Sequence, residues 1–136
     1  TTAAGRARLN WVLTSLKVKP DLVILELGAN DMLRALPPAQ AKANLDAMLT
    51  ELKRRKIPVL FAGMRASFNN DKTYRAQFDG MYPALAKKHG VRFYPFFMDG
   101  VTGNRSLLLK DQLHPTAAGV AIIVRRIQPM VSAALR

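Results

Sequence analysis

The strongest constraint in this sequence is an alternation. Short apolar runs closed off by proline or glycine are separated by longer stretches in which apolar residues recur at helical spacing. The run Asp21-Leu22-Val23-Ile24-Leu25-Glu26-Leu27 lies between Pro20 and Gly28. It is too short for a helix of its own and apolar on both faces, so it reads as a central strand of a parallel sheet. Ile57-Pro58-Val59-Leu60-Phe61-Ala62 reads as the next strand, with Pro58 near its start where a missing donor is tolerated. Val91-Arg92-Phe93-Tyr94-Pro95-Phe96 reads as the third. Leu9, Val12, Leu13 and Leu16 form the stripe of an amphipathic helix that Pro20 forbids from continuing. Leu45, Met48, Leu49 and Leu52 repeat that stripe after Pro37-Pro38, and Phe78, Met81, Tyr82 and Leu85 repeat it before His89-Gly90. A last helix is expected from Thr116 onward, with Val120, Ile123, Ile127 and Val131 on one face and a kink at Pro129.

Helices alternating with short hydrophobic strands imply one α/β domain over residues 1–136, its parallel sheet covered on both faces. A sheet of three strands is narrow, and its outer strands present unpaired backbone groups that another chain, or a second copy of this one, can cover. At 49% hydrophobic residues the chain is apolar enough to bury a core and is not a disordered sequence. With no cysteine, disulfides, thiolate catalysis and Cys-ligated zinc are excluded, and two histidines at unsuitable spacing make no metal site. No cofactor is implied. No apolar run approaches the roughly 20 residues of a membrane span, so no transmembrane segment is expected and the chain reads as soluble.

The formal charge of +12 raises the question of a polyanionic partner. Most cations are scattered, and the one dense run, Lys53-Arg54-Arg55-Lys56, closes a helix, where positive charge is favoured. Few aromatics are interleaved with these cations and no nucleic-acid motif is present, so specific nucleic-acid binding is not expected.

Ligands of open α/β sheets bind at the carboxyl ends of the strands, which directs attention to the loops there. After the first strand comes Gly28-Ala29-Asn30-Asp31. The glycine permits a tight exit and the Asn30 amide can donate to an oxyanion, although the same residues also make an ordinary turn with local caps. Before the last helix comes Asp111-Gln112-Leu113-His114-Pro115-Thr116. Asp and His three apart can share one side of a turn, with Pro115 as first helical residue and His114 at the helix mouth. A helix start carrying an exposed histidine is the alternative. Phe96, Phe97 and Met98 can line an acyl pocket or simply belong to the core, and Glu26 can support the Asn30 loop or face outward. Asp31 reads as a loop or helix-start stabiliser, and His89 as a helix C-terminal residue facing the dipole.

Together the two loops resemble the SGNH hydrolases, or GDSL-type esterases, particularly the bacterial arylesterases, thioesterases and lysophospholipases. Gly28-Ala29-Asn30-Asp31 is similar to the family's GxND block and Asp111-Gln112-Leu113-His114-Pro115 to its DxxH block, in the same order, and the resemblance spans residues 1–136. It implies a flavodoxin-like three-layer α/β/α fold acting on an ester or thioester. In that scheme Asn30 donates to the oxyanion, His114 is general base and acid, and Asp111 orients His114, with Gly28 and Asp31 supporting the loop.

The family's serine lies in a GDS(L) block, followed by a block with a glycine oxyanion donor, and neither occurs here. The serines are Ser15, Ser67, Ser106 and Ser132; none follows Asp, and none stands in a Gly-x-Ser-x-Gly elbow. Ser67 alone follows a strand at the relevant edge, where it reads as a turn former. The domain is therefore expected to be N-terminally incomplete, lacking the opening βαβ portion, with the nucleophile supplied by a segment absent from this chain, such as a companion N-terminal peptide. The other reading is a catalytically inactive remnant serving as a binding or protein-interaction module. Localisation is not readable; the resemblance implies only that periplasmic or exported enzymes are common among similar proteins.

Overall fold

A computed structural model describes residues 1–136. Four longer helices and three strands alternate along the chain, with a short extra helix after the first strand. Helix α1 (Thr2–Ser15) is followed by β1 (Val23–Glu26), the short α2 (Ala29–Leu33) and α3 (Pro38–Arg54). Then come β2 (Val59–Ala62), α4 (Lys72–His89), β3 (Arg92–Tyr94) and α5 (Ala117–Ala134). The strands pair in parallel in the order β1-β2-β3, with Val23 opposite Val59 and Phe61 opposite Phe93.

The layers follow from which side chains each strand presents to which face. Leu25, Val59 and Phe61 point into the larger core, where Leu45, Met48, Leu49 and Leu52 of α3 meet Phe78, Met81, Tyr82 and Leu85 of α4. Leu9 and Leu13 of α1 pack against the same cluster. On the opposite face α5 packs on β2 and β3. There Ile123 joins Met98 and Val101 in a smaller core. The result is a three-layer α/β/α architecture around a parallel sheet.

Several expectations are corrected by this arrangement. The first strand is an edge strand, not the central one. All four residues of β2 are buried, whereas β1 leaves Ile24 45% exposed because α5 covers only the other two strands. Leu16 caps α1 outside the stripe and Val120 lies on the open flank of α5, both exposed. The turn expected at Gly28 is the start of α2, too short to show a helical period. Pro115 is not the first helical residue. Thr116 is the N-cap, its hydroxyl accepting from the Gly119 N–H, and Pro115 instead bridges to Leu108 in an antiparallel pair. Helix α5 runs on through Pro129, and α4 likewise contains Pro83. By length and composition α5 is the one helix apolar enough to cross a membrane. It buries Ile123 and Ile127 in the domain and carries Arg125 and Arg126 at its middle, a costly position in lipid.

Candidate active site

All three strands are parallel, so the loops that leave their carboxyl ends gather on one edge of the sheet. The first is shaped by Gly28, whose φ of 126° is rarely open to a residue with a side chain. Space imposes the same requirement. The Tyr82 hydroxyl donates to the Leu27 carbonyl at 2.9 Å, and a Cβ on residue 28 would stand 2.1 Å from that oxygen. The glycine turns the chain straight into α2, whose first turn presents Asn30 to solvent. Asp31, one residue on, is only 2% exposed. Its carboxylate accepts from the Thr2 N–H at 2.7 Å and the Thr2 hydroxyl at 2.6 Å, tying the start of α1 to the Asn30 helix.

The second loop joins β3 to α5 and is folded back on itself. The Leu109 N–H donates to the His114 carbonyl at 2.7 Å and the Thr116 N–H to the Leu107 carbonyl at 2.8 Å. The turn between them closes through Gln112 at a positive φ of 58°. Asp111 spans that turn. Its Oδ1 accepts from the Leu113 and His114 N–H groups at 2.9 and 3.0 Å, and its Oδ2 lies 2.6 Å from His114 Nδ1. The hydrogen bond to the imidazole, reinforced by the two backbone N–H groups, holds the Asp111 carboxyl down at about 2. An ionised carboxylate only accepts, so Nδ1 is the donor of this pair, and in the neutral imidazole Nε2 then keeps its lone pair. Both side chains are open to solvent, His114 at 73%. The imidazole is thus a base with a fixed tautomer and a free face.

The sequence motifs therefore map to one edge, with Asp111 and His114 in direct contact and Asn30 with Gly28 on the far side of β2. None of the serines touches the imidazole. Ser67 Oγ accepts from the Asn69 N–H at 3.2 Å, as a turn former does, and Ser106 donates to Asn104. Ser15 donates to the Val12 carbonyl within α1, and Ser132 accepts from Gln128 on α5. His89 does more than face the helix dipole: its Nε2 is 2.5 Å from Asp46 of α3. Glu26 does not reach the Asn30 loop by a hydrogen bond; burial alone raises its pKa. Met98 belongs to the smaller core, and Phe96 and Phe97 pack against it.

Two residues that shape the site escaped the sequence reading. Tyr82 lies in a core stripe, yet its hydroxyl fixes the exit of β1. Gly119 sits where a Cβ would meet the Leu107 carbonyl at 2.5 Å, so its small size lets α5 close against the His114 loop. A glycine in the first turn of a helix, where no turn needs it, was the available signal.

A model of the GDSL-like lipase/acylhydrolase family matches residues 1–122. This chain belongs to that family. It is 34% identical over 129 residues to esterase TesA of Pseudomonas aeruginosa, covering 95% of this chain and 63% of that protein. It is 32% identical to thioesterase 1/protease 1/lysophospholipase L1 of Escherichia coli K12, covering 97% of this chain and 64% of the relative. The chain thus spans less than two thirds of the length of these relatives. Among solved structures, AlinE4, an SGNH-hydrolase family esterase, superposes with a TM-score of 0.80 at 48% identity, over 100% of this chain and 72% of that one. The crystal structure of TesA superposes with a TM-score of 0.91 at 33% identity, over 98% and 73%. The family fold and the parallel three-layer arrangement agree.

Proposed function

We propose that residues 1–136 form the His-Asp and Asn-bearing part of one domain of a serine hydrolase of carboxylic esters or thioesters, with the serine contributed by polypeptide outside these residues. The observation that carries this is the 2.6 Å contact of His114 Nδ1 with Asp111 beside an open Nε2. In this scheme His114 Nε2 accepts the serine Oγ proton as Oγ attacks the acyl carbon, while Asp111 stabilises the imidazolium. The Asn30 amide donates to the oxyanion of the tetrahedral intermediate, a contribution typically worth about 100- to 1000-fold in rate. The intermediate then collapses, the imidazolium protonating the alcohol or thiol that leaves. Water loses a proton to the same Nε2 and attacks the acyl carbon; the bond to Oγ breaks, the carboxylic acid leaves, and the imidazolium returns the proton to the serine Oγ. Gly28 and Asp31 hold the Asn30 helix in place, and the names of the relatives support an ester or thioester as substrate.

The test is complementation. Intact-mass spectra first establish whether a smaller peptide containing Gly-Asp-Ser accompanies the 15.1 kDa chain. The chain is then mixed with a synthetic or co-expressed segment carrying that block, and hydrolysis of an aryl ester is followed. Turnover that requires both parts and vanishes with His114→Ala is the expected result. Absence of turnover from a complex that demonstrably forms would reject the enzyme. A second reading is favoured by one observation: β1 has an unpaired edge and an exposed Ile24. On that reading the chain is an inactive module that pairs this edge with a protein partner or a second copy, and a stable, inactive homodimer would be its signature.

A further inference from the structure

Five acids of the segments that follow the strands are already engaged, and Glu26, at the end of β1, is half-buried without a partner. Asp31 accepts from Thr2, Asp71 caps α4 by accepting from the Tyr74 N–H, and Asp79 accepts from the Ala66 N–H. Asp99 pairs with Arg126 and Asp111 with His114. The cations of the same segments are different. Arg34, Arg65, Lys72, Arg75, Arg105 and Lys110 form no ion pair. Like charges gathered on the loops of one edge give it a positive potential.

Two of these cations are held by aromatic rings. The Arg65 guanidinium lies 5.0 Å over the Phe96 ring, joining the loop after β2 to the loop after β3. Arg75, at the start of α4, lies 5.6 Å over the ring of Phe68, a residue 92% exposed. A guanidinium stacked on a ring keeps its planar N–H edge free for two parallel hydrogen bonds to a phosphate or carboxylate. The only buried side-chain polar atoms without a partner in the chain, Arg75 Nε and Asn70 Oδ1, belong to this same segment. The Tyr74 hydroxyl donates to the Leu36 carbonyl, so the segment is also braced against the loop that follows Asn30. Charge without counter-charge, stacked guanidiniums and an exposed aromatic residue therefore coincide on one rim.

We infer that this rim selects substrates bearing a negative group next to an apolar chain, with Arg65 and Arg75 as specificity-determining residues. The inference rests on the hydrolase reading for its catalytic meaning, but binding is testable on this chain without any nucleophile. Monodecyl phosphate, decyl maltoside and inorganic phosphate, each below its aggregation concentration, are titrated against the full chain by calorimetry at low salt. Decyl phosphate is expected to bind at least tenfold more tightly than either of the others, and to weaken as salt is raised. Arg65→Gln should lose most of that preference while melting like the parent, because Arg65 is exposed. Arg75→Lys, which keeps the charge and loses the fork, should lose part of it. Equal binding of the phosphate and maltoside amphiphiles, or a preference unmoved by Arg65→Gln, overturns the inference. So does inorganic phosphate binding as tightly as decyl phosphate, since the apolar chain would then contribute nothing. Failed complementation with this binding intact would reject the hydrolase and leave the rim.

Discussion

One carboxylate does two things at the His114 turn. Asp111 Oδ1 holds the backbone N–H groups of residues 113 and 114, and Oδ2 holds the imidazole. Asp111→Asn separates them, because an amide oxygen still closes the turn while an NH2 facing Nδ1 favours the wrong tautomer. The expected outcome is an unchanged urea midpoint together with a turnover of the complemented hydrolase lower by about 100- to 10,000-fold. Turnover within threefold of the parent would remove Asp111 from the proposed chemistry. Asn30→Ala should lower kcat far more than it raises KM, since its donor acts on the oxyanion, and a change confined to KM would contradict that role. Gly28→Ala fails for another reason: the backbone strain at φ 126° costs about 1–3 kcal/mol before the approach to Tyr82 is counted, which urea unfolding would read directly. At this scale the sequence was informative where partners are close along the chain. The Asp111–His114 spacing named a contact that exists, whereas the long separation between Gly28 and Tyr82 hid a hydroxyl behind an ordinary core stripe.

Elements were legible where they were long. Helices α3, α4 and α5 announce themselves because their apolar stripes recur over two turns or more, although α5 is capped by Thr116 rather than by the residue before Pro115. Helix α2 has five residues, too few to show a period, and so was read as a turn. Strand β1 was misplaced for a related reason: an apolar run implies that both faces want cover, but not that both edges are paired. Helix α1, which packs on α3, depends in turn on Asp31. Removing the carboxylate in Asp31→Ala leaves the buried Thr2 amide without an acceptor and its hydroxyl with only the Asn44 amide. The cost of such orphaned groups is about 1–3 kcal/mol. Hydrogen exchange should then accelerate in α1 while β2 stays protected, and uniform acceleration across the domain would show that the clamp is not local.

For the molecule as a whole, the carboxylates pull stability in opposite directions as pH falls. Hydrogen bonds from Arg54 and Arg55 hold Glu51 at about 2, as the His114 turn holds Asp111, and Lys88 and His89 lower Asp46. A depressed folded pKa means stability that is fully present above the unfolded value, near 4, and lost as pH falls through the folded one. Glu26 has the opposite sign. Burial raises its pKa, so the folded chain takes up that proton before the unfolded chain does, and stability rises as pH descends to the ordinary glutamate range. The urea midpoint should therefore climb gently from pH 7 toward about pH 5 and fall between about pH 4 and pH 2. The descending limb draws on solvent-exposed pairs, in a chain of formal charge +12 whose cations lose their counter-charges there, and added salt should make it shallower. Glu26→Gln isolates the other limb, since an isosteric neutral side chain needs no proton to sit in the same place. Its midpoint should exceed the parent's at pH 7, and the two curves should converge below the glutamate range. Curves that run parallel from pH 7 to pH 5 would mean that Glu26 carries none of the dependence.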